Sequence, residues 1–222
     1  MTALVLQARC DSSRLPGKSL LPLGGRPLIF RVMEALSFLP LEIKILACPE
    51  NDAAAFAPLA EEAGFSMIPG PKKDVLARYA LAIRKSGADR IIRATGDNPF
   101  VLVDAAAAIN REAEELAADY SCYFGLPYGS GVESVASQAL LRAERETADP
   151  PDREHVCPYL YRHPELFRLH RPLAPLYWQG PSLSFSVDTA EDYERAQLYF
   201  ERLSSFSAEE RIRGANIIAA LS

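Results

Sequence analysis

Short apolar runs alternate with amphipathic stretches along the first half of the chain, and this alternation restricts the fold more than any other feature. The apolar runs have the length and composition of buried strands, and they are Thr2–Leu6, Leu41–Ala47, Phe65–Ile68 and Asp89–Ala94. The stretches between and after them have helical periodicity, and the predicted helices are Pro27–Leu36, 51–63, 74–85 and Val103–Ala118. A βαβα order of this kind predicts a Rossmann-like α/β fold, a mostly parallel mixed sheet with helices on both faces.

The second half of the chain is more mixed. Its predicted strands are Tyr120–Phe124, Leu166–His170 and Ser182–Val187, and its predicted helices are Ser137–Thr147, Arg153–Arg162, Thr189–Leu203 and Ala208–Leu221. The stretches 148–152 and 171–181 are typical of loops rather than of an interdomain linker. We therefore expect residues 1–222 to form a single domain.

The distribution of charge limits the partners that this chain can bind. The net charge is −5, yet residues 1–31 contain five basic side chains and one acid, a local charge of +4. An acidic chain with few clustered basic residues is not typical of a nucleic-acid-binding protein. A small basic region on an acidic chain suits a compact anionic ligand better.

Cysteine usage and hydropathy indicate the compartment. The four cysteines lie more than thirty residues apart and form no CxxC pair, which argues against a zinc site or a disulfide framework. No uncharged apolar run approaches the ~18 residues that a membrane span needs, and the first residues lack the pattern of a signal peptide. We expect a cytoplasmic protein that binds no membrane.

A polar segment, QARCDSSRLPGKS (residues 7–19), follows the first predicted strand directly. In an open parallel sheet, ligands bind beyond the carboxyl ends of the strands, so this loop lies where a nucleotide is expected. It contains three basic side chains and three serines, which suit a triphosphate. It is not a Walker A loop, because Ser12 replaces the opening glycine and Pro16 removes a backbone donor. A solvated surface loop is the alternative.

Two aspartates also follow predicted strands. Asp97 lies in RATGDNP (residues 93–99), and Asp188 lies in SVDTAED (residues 186–192). Mg²⁺ takes only one or two protein carboxylates when phosphate oxygens complete its coordination, so the two aspartates are candidate Mg²⁺ ligands if they converge. The alternatives are a turn that Asp97 stabilises and a helix N-cap built by Asp188 or Thr189.

These segments resemble a known family. QARCDSSRLPGKSLLPLGGRPL is similar to the opening signature of the CMP-sugar-acid synthetases, the acylneuraminate and 3-deoxy-manno-octulosonate cytidylyltransferases. The resemblance is strongest to their spore-coat polysaccharide biosynthesis protein F branch. RATGDNPFV, EHVCPYLYRHPELF and SFSVDTAEDYERA resemble three further segments of that branch, and all four occur in the family's order between residues 7 and 196.

The resemblance implies a nucleotide-diphospho-sugar transferase-like fold, usually a homodimer, that joins CMP from CTP to a sugar. It implies a nucleotide-binding half of about residues 1–100 and a sugar-binding half of about residues 101–222, which is also the candidate dimerisation region. Its implied catalytic residues are Arg14, Lys18 and Asp97, and its Mg²⁺ ligands are Asp97 and Asp188. The implied nucleotide-binding residues are Gln7, Ala8, Arg9, Ser13, Arg14, Lys18, Arg78 and Thr95, with base contacts from the backbone of residues 7–9. The implied sugar-binding residues are Glu133 and His155.

The chain departs from the family pattern at two positions. The better-known synthetases have Gln before Gly-Asp, whereas this chain has Thr95, so its preference for cytosine is an open question. Gly131 stands where an aspartate is usual, so the sugar contacts of Glu133 are also open. A surface position for Arg78 and a structural role for His155 are the corresponding alternatives.

The function predicted from these residues is Mg²⁺-dependent cytidylyl transfer to a sugar or sugar acid, in surface polysaccharide or glycoconjugate biosynthesis. Transfer from a different nucleoside triphosphate is one alternative. A glycosyltransferase of the same fold is another, although the chain has no Asp-x-Asp motif and Asn98-Pro99 follows Asp97. A nucleotide-binding regulatory protein without chemistry is a third.

Overall fold

The computed structural model describes residues 1–222 and contains one sheet of seven strands and a small two-stranded ribbon. The strands are β1 (Thr2–Gln7), β2 (Pro22–Leu23), β3 (Arg26–Pro27), β4 (Ile43–Pro49), β5 (Ser66–Gly70), β6 (Arg90–Thr95), β7 (Tyr120–Ser121), β8 (Glu133–Ala136) and β9 (Leu169–His170). The strand order in the large sheet is β5-β4-β1-β6-β8-β7-β9. Strands β2 and β3 form the ribbon.

Nine α-helices accompany the sheet. They are α1 (Leu28–Leu36), α2 (Ala53–Glu62), α3 (Val75–Ser86), α4 (Val103–Glu115), α5 (Ser137–Glu146), α6 (Pro150–His155), α7 (Pro158–Arg162), α8 (Ala190–Arg202) and α9 (Gly214–Leu221). None of them combines the length and the apolar composition that a bilayer span requires.

Side-chain alternation along β1 separates two apolar cores, one on each face of the sheet. Leu4 and Leu6 belong to the larger core, which α1, α2 and α4 cover. Val5 belongs to the smaller core, where Tyr79 of α3 and Leu140 of α5 pack against it. The predicted α/β class, with helices on both faces of a mostly parallel mixed sheet, is confirmed.

The parallel part of the sheet determines where a ligand can bind. Strand β1 pairs in parallel with β4 on one side and with β6 on the other. The carboxyl ends of these three strands therefore meet at one edge, and the loops that begin at Ala8 and Gly96 leave the sheet there. This is the edge at which open α/β sheets bind their ligands.

Two predictions about strands in the second half are wrong. Strand β8 was not predicted, and it lies antiparallel between β6 and β7, with Glu133 directly opposite Arg93. The segment Ser182–Val187 is not a strand of the sheet. It is extended, but it makes only an isolated bridge from Ser184 to Tyr128, because its N–H groups bond to loops instead.

Two predicted helices are also shorter or interrupted. The region 153–162 forms two helices, α6 and α7, because the chain turns at Val156, which has φ 75° and ψ −57°. The Cys157 N–H donates to the carbonyl of His155 at 2.9 Å across this turn, which makes it a γ-turn of the rare, positive-φ kind. At the end of the chain, a short 3₁₀ turn at Glu210–Ile212 precedes α9, so the predicted helix begins at Gly214 rather than Ala208.

Candidate active site

The loop after β1 is held in place by hydrogen bonds to its neighbours. The N–H of Cys10 donates to Oδ2 of Asp52 at 2.8 Å, and the hydroxyl of Ser19 donates to the carbonyl of Arg9 at 2.8 Å. Asp52 is the N-cap residue of α2 by position, but its side chain makes no capping hydrogen bond, because its carboxylate holds the loop instead. Gly17, at φ 68°, lets the chain turn into the 3₁₀ turn that carries Lys18.

A cavity of about 750 Å³ opens at the carboxyl edge of β1 and β6. Every residue with a predicted site role lines it: Gln7, Ala8, Arg9, Ser13, Arg14, Lys18, Arg78, Thr95, Asp97, Glu133, His155 and Asp188. The structure thus brings together residues that are up to 181 positions apart in the sequence (Gln7 and Asp188). Their individual roles remain predictions.

Lys18 lies at the centre of the charged end of the cavity. Its ammonium group donates to Oδ2 of Asp97 at 2.9 Å, to Oδ1 of Asp188 at 2.8 Å and to the carbonyl of Val187 at 2.9 Å. The side chain is buried, whereas Arg14, which pairs with the same Asp188 oxygen at 3.0 Å, is mostly exposed. The two aspartates therefore converge on one buried positive charge.

Asp97 and Asp188 converge although Asp188 does not end a strand of the sheet. The N–H of Val187 donates to the carbonyl of Asp97 at 2.9 Å and so joins the two loops. Thr189 caps α8 in a reciprocal capping box with Asp192, which leaves the Asp188 carboxylate free of capping.

This donor set fits a magnesium ion. Two carboxylates that already share one cation in a partly buried position can hold another, and Mg²⁺ needs few protein carboxylates when phosphate is present. The structure shows no cluster of three or more His, Cys, Asp or Glu side chains, the pattern expected of an all-protein metal cage. Asp97 and Asp188 are thus the residues that would hold the ion.

The other end of the cavity contains a partly buried ion pair that was not predicted. The Arg93 guanidinium pairs with Oε2 of Glu133 through Nη1, and the Tyr120 hydroxyl donates to Oε1 of Glu133 at 2.7 Å. Burial disfavours the charge on Arg93, but the facing carboxylate outweighs it, and the pKa of Arg93 lies above its usual range. Because each oxygen of Glu133 already accepts one hydrogen bond from the protein, the carboxylate holds Arg93 in place, and its contact with the sugar stays a prediction.

Arg78 and His155 line the cavity in different ways. The Arg78 side chain is buried, and its Nη1 donates to the carbonyl of Pro71 at 2.6 Å and to that of Lys72 at 3.1 Å. Arg78 is therefore not a surface arginine of the helix. His155 is exposed at the end of α6, directly before the γ-turn at Val156, and its ring makes no hydrogen bond within the protein.

Unpartnered polar atoms are concentrated around the cavity. Six buried side-chain polar atoms in the structure have no hydrogen-bond partner, and four of them belong to cavity residues: Gln7 Oε1, Arg78 Nε, Arg93 Nε and Asn98 Oδ1. Buried polar atoms are nearly always paired in proteins, so this concentration indicates that a polar ligand completes the site. Sequence patterns missed Arg93 and Asn98, although a charged residue inside the apolar run 90–94 was a usable signal.

Comparison with known proteins identifies the family of this chain. The family model described as cytidylyltransferase matches residues 3–212. The chain belongs to the cytidylyltransferase family. It is also similar to the spore coat polysaccharide biosynthesis protein SpsF of Bacillus subtilis, at 30% identity over 206 residues, which cover 89% of this chain and 85% of that protein.

Solved structures show the same fold for this member of the cytidylyltransferase family. A cytidylyltransferase from Leptospira borgpetersenii serovar Hardjo-bovis superposes with a TM-score of 0.88 at 24% identity and covers 99% of this chain and 93% of its own. A CMP:2-keto-3-deoxy-manno-octonic acid synthetase complexed with CTP superposes with a TM-score of 0.70 at 17% identity. The superposition covers 90% of this chain and 98% of the synthetase chain. The fold is that of the nucleotide-diphospho-sugar transferases.

Proposed function

We propose that this cytidylyltransferase-family protein transfers CMP from CTP to a sugar acid or a related sugar and releases pyrophosphate. The observation that carries the proposal is the cluster of Lys18, Arg14, Asp97 and Asp188 at one end of the cavity. Four other residues of the same cavity have buried polar atoms without a hydrogen-bond partner. Family membership and the CTP complex of a structural neighbour support the choice of nucleotide. The name of the Bacillus relative supports a role in polysaccharide biosynthesis.

In the proposed reaction, a hydroxyl of the acceptor attacks the α-phosphorus of CTP in line. The bond from the α-phosphorus to the bridging oxygen breaks, pyrophosphate leaves with the electron pair, and the hydroxyl proton passes to water. Arg9 and Arg14 bind the triphosphate oxygens, since both side chains are exposed at the cavity and Arg9 has no acidic partner. The protein contributes mainly position and charge to phosphoryl-type transfers of this kind.

Mg²⁺ on Asp97 and Asp188 would neutralise phosphate charge as it develops. Lys18, which neutralises the same two carboxylates in this structure, supplies a second fixed positive charge beside the triphosphate. Its buried ammonium is held by three acceptors, so its position is defined before the substrate arrives.

The acceptor binds at the end of the cavity that contains Arg93 and His155. Nη2 of Arg93 has no hydrogen-bond partner in the protein and is not enclosed, which leaves one edge of the guanidinium for an anionic group such as the carboxylate of a sugar acid. Glu133 and Tyr120 hold Arg93 in that orientation. His155 offers a hydrogen bond to a hydroxyl from the rim.

A screen of the four nucleoside triphosphates with Mg²⁺ by thermal shift tests the nucleotide, and pyrophosphate release with a panel of sugar acids tests the reaction. We expect the largest shift with CTP and pyrophosphate release with at least one sugar acid. Preference for GTP or UTP contradicts the cytidylyl assignment. Saturable binding of CTP without pyrophosphate release from any acceptor favours a regulatory role.

We also propose that the protein is a homodimer. Large apolar side chains are exposed in two adjoining segments of the second half, and these residues are Phe124, Tyr128, Leu173, Leu176 and Tyr177. An isolated bridge between Phe124 and Leu173 joins the segments, and Phe124 and Tyr128 also line the cavity. Exposed apolar patches of this kind mark protein interfaces. Light scattering of the wild type and of Leu176→Asp tests the proposal, since the variant is expected to be monomeric.

A further inference from the structure

The carboxyl ends of β1 and β6 place two polar side chains next to each other. Gln7 and Thr95 are the last residues of their strands, and the parallel register pairs them directly. Paired residues of neighbouring strands have their side chains on the same face of a sheet. Both residues line the cavity on the face that also carries Val5 and the core residue Tyr79.

The backbone next to Gln7 is already committed within the protein. The Gln7 carbonyl accepts a hydrogen bond from the N–H of Gly96 at 2.7 Å, and the N–H of Ala8 donates to the carbonyl of Ala47 at 3.2 Å. Base contacts from the backbone of residues 7–9, which the family resemblance implies, are therefore restricted. The Arg9 carbonyl is also engaged, by the hydroxyl of Ser19 at 2.8 Å, so the Ala8 carbonyl and the Arg9 N–H are the backbone groups of this segment that can still reach a base. The side chain of Gln7 adds a third hydrogen-bonding group beside them.

The Gln7 amide has no bonding partner in the protein. Its Oε1 is buried without a hydrogen bond, and its Nε2 donates to no protein atom. The neighbouring Thr95 hydroxyl, by contrast, already accepts a hydrogen bond from Nδ2 of Asn98 at 2.7 Å. Because the carboxamide makes no hydrogen bond within the protein, it can turn toward a ligand. A ligand donor that pairs with the buried Oε1 stabilises the complex, since an unpaired buried acceptor is unfavourable.

We infer that the Gln7 side chain binds the nucleobase and replaces the amide that the better-known synthetases carry at the position of Thr95. The inference rests on the proposed function, because it takes CTP as the nucleotide. The exocyclic amino group of cytosine donates and N3 accepts, and a carboxamide offers an acceptor and a donor in the matching arrangement. Because the register of β1 and β6 pairs Gln7 with Thr95, the Gln7 amide lies beside the position at which Thr95 has no amide of its own.

Gln7→Met tests the inference, since methionine keeps the length of the side chain and removes both hydrogen-bonding atoms. Binding is measured by calorimetry with Mg²⁺ and either CTP, UTP or inorganic tripolyphosphate. We expect CTP affinity to fall at least about tenfold and the ratio of CTP to UTP affinity to move toward one. Tripolyphosphate affinity should change less than about twofold, because it lacks a base.

Two further variants separate the contributions of the paired residues. Thr95→Val removes the hydroxyl and is expected to weaken CTP binding less than Gln7→Met does. Gln7→Met combined with Thr95→Gln returns an amide to the neighbouring strand and is expected to recover part of the lost preference for CTP. Recovery of this kind is not expected from a merely structural role of Gln7.

The outcomes distinguish this inference from the proposed function. A wild-type protein without preference for CTP overturns both. A wild type that prefers CTP, together with a Gln7→Met variant that keeps the preference, overturns only the inference. If Gln7→Met does not fold, as judged by circular dichroism, Gln7→Ala carries the same expectations.

Discussion

Charged side chains are arranged differently at the two ends of the cavity, the proposed nucleotide end around Lys18 and the proposed acceptor end around Arg93. At the nucleotide end, Arg9 and Arg14 are exposed on a loop, and the Lys18 cluster joins side chains that come from three separate loops. At the acceptor end, Arg93 and Glu133 lie opposite each other on paired strands and neutralise each other. The nucleotide end thus has charges that can be exchanged with those of a ligand, whereas the acceptor end keeps its shape through a fixed internal pair.

The largest expected effect is a loss of catalytic rate when Asp97, at the nucleotide end, is replaced. We expect Asp97→Asn to lower pyrophosphate release with CTP and the preferred acceptor at least about 10³-fold, because the cation would lose one of its two carboxylates. The melting temperature should stay within a few degrees, since Asp188 still pairs with Lys18. Near-normal release by this variant at saturating Mg²⁺ would show that the nucleotide end works in another way.

The corresponding change at the acceptor end should affect stability first. Arg93→Met leaves Glu133 buried without its cation, which we expect to cost about 3 kcal/mol of unfolding free energy in urea titrations. The double variant Arg93→Met with Glu133→Met should recover much of this loss, since no charge is then left unpaired. Equal losses in the single and double variants would contradict the interpretation of a fixed ion pair.

A smaller difference in stability is expected between alanine substitutions at two glycines, one at each end of the cavity. A Cβ at Gly96 would lie 2.6 Å from Cδ1 of Ile29 and 2.9 Å from the carbonyl oxygen of Gln7, so Gly96→Ala should cost about 1–3 kcal/mol. Gly131, at the acceptor end, is exposed and would meet only Cδ1 of Leu126 at 3.1 Å. Gly131→Ala is the matched control, and thermal unfolding should show a clear loss for Gly96→Ala alone.

The smallest expected effect concerns the capping box of α8. Burial raises the pKa of the Asp192 carboxyl group. Hydrogen bonds from Arg195 and from the N–H groups of Thr189 and Asp188 outweigh burial and lower this pKa to about 2. Because the pKa is depressed on folding from 3.8, this stabilisation is complete above pH about 4 and is lost as the pH falls toward 2. Asp192→Asn should cost about 1 kcal/mol at pH 7 and less at pH 2.5, as measured by urea unfolding.

The first half of the chain could be predicted well from the sequence because its structure is local. Buried parallel strands are continuous apolar runs, and β1, β4 and β6 were predicted to within two residues of their observed ends. The predicted helix 74–85 begins at Asp74, which caps α3 in the structure, where its Oδ1 accepts the N–H of Ala77 at 2.9 Å. The positions of Lys18 and Asp97 follow from the rule that ligands meet the carboxyl edge, whereas Asp188 was expected there from a strand that does not form and reaches the site through the hydrogen bond from Val187 to Asp97.

The second half of the chain was predicted less well because its structure depends on partners that are distant in the sequence. Strand β8 has four residues, begins with a charged one and is stabilised by pairing with β6 and β7. The positive φ of Val156 is unfavourable for a β-branched residue, so no local rule predicts the break between α6 and α7. Likewise, the pairing of Arg93 with Glu133 and the unpartnered amide of Gln7 become visible only when neighbouring strands are known.

The short β9 has a consequence for the behaviour of the molecule at high concentration. This strand ends the sheet, and with two residues it exposes few backbone N–H and C=O groups to another chain. Long, flat edges template the addition of foreign strands and promote aggregation, whereas very short ones do not. Apolar side chains such as Leu173 and Leu176 are exposed beyond this edge, so a partner that binds there would meet side chains rather than a free strand. The shortness of β9 thereby limits edge-to-edge polymerisation on this side of the sheet.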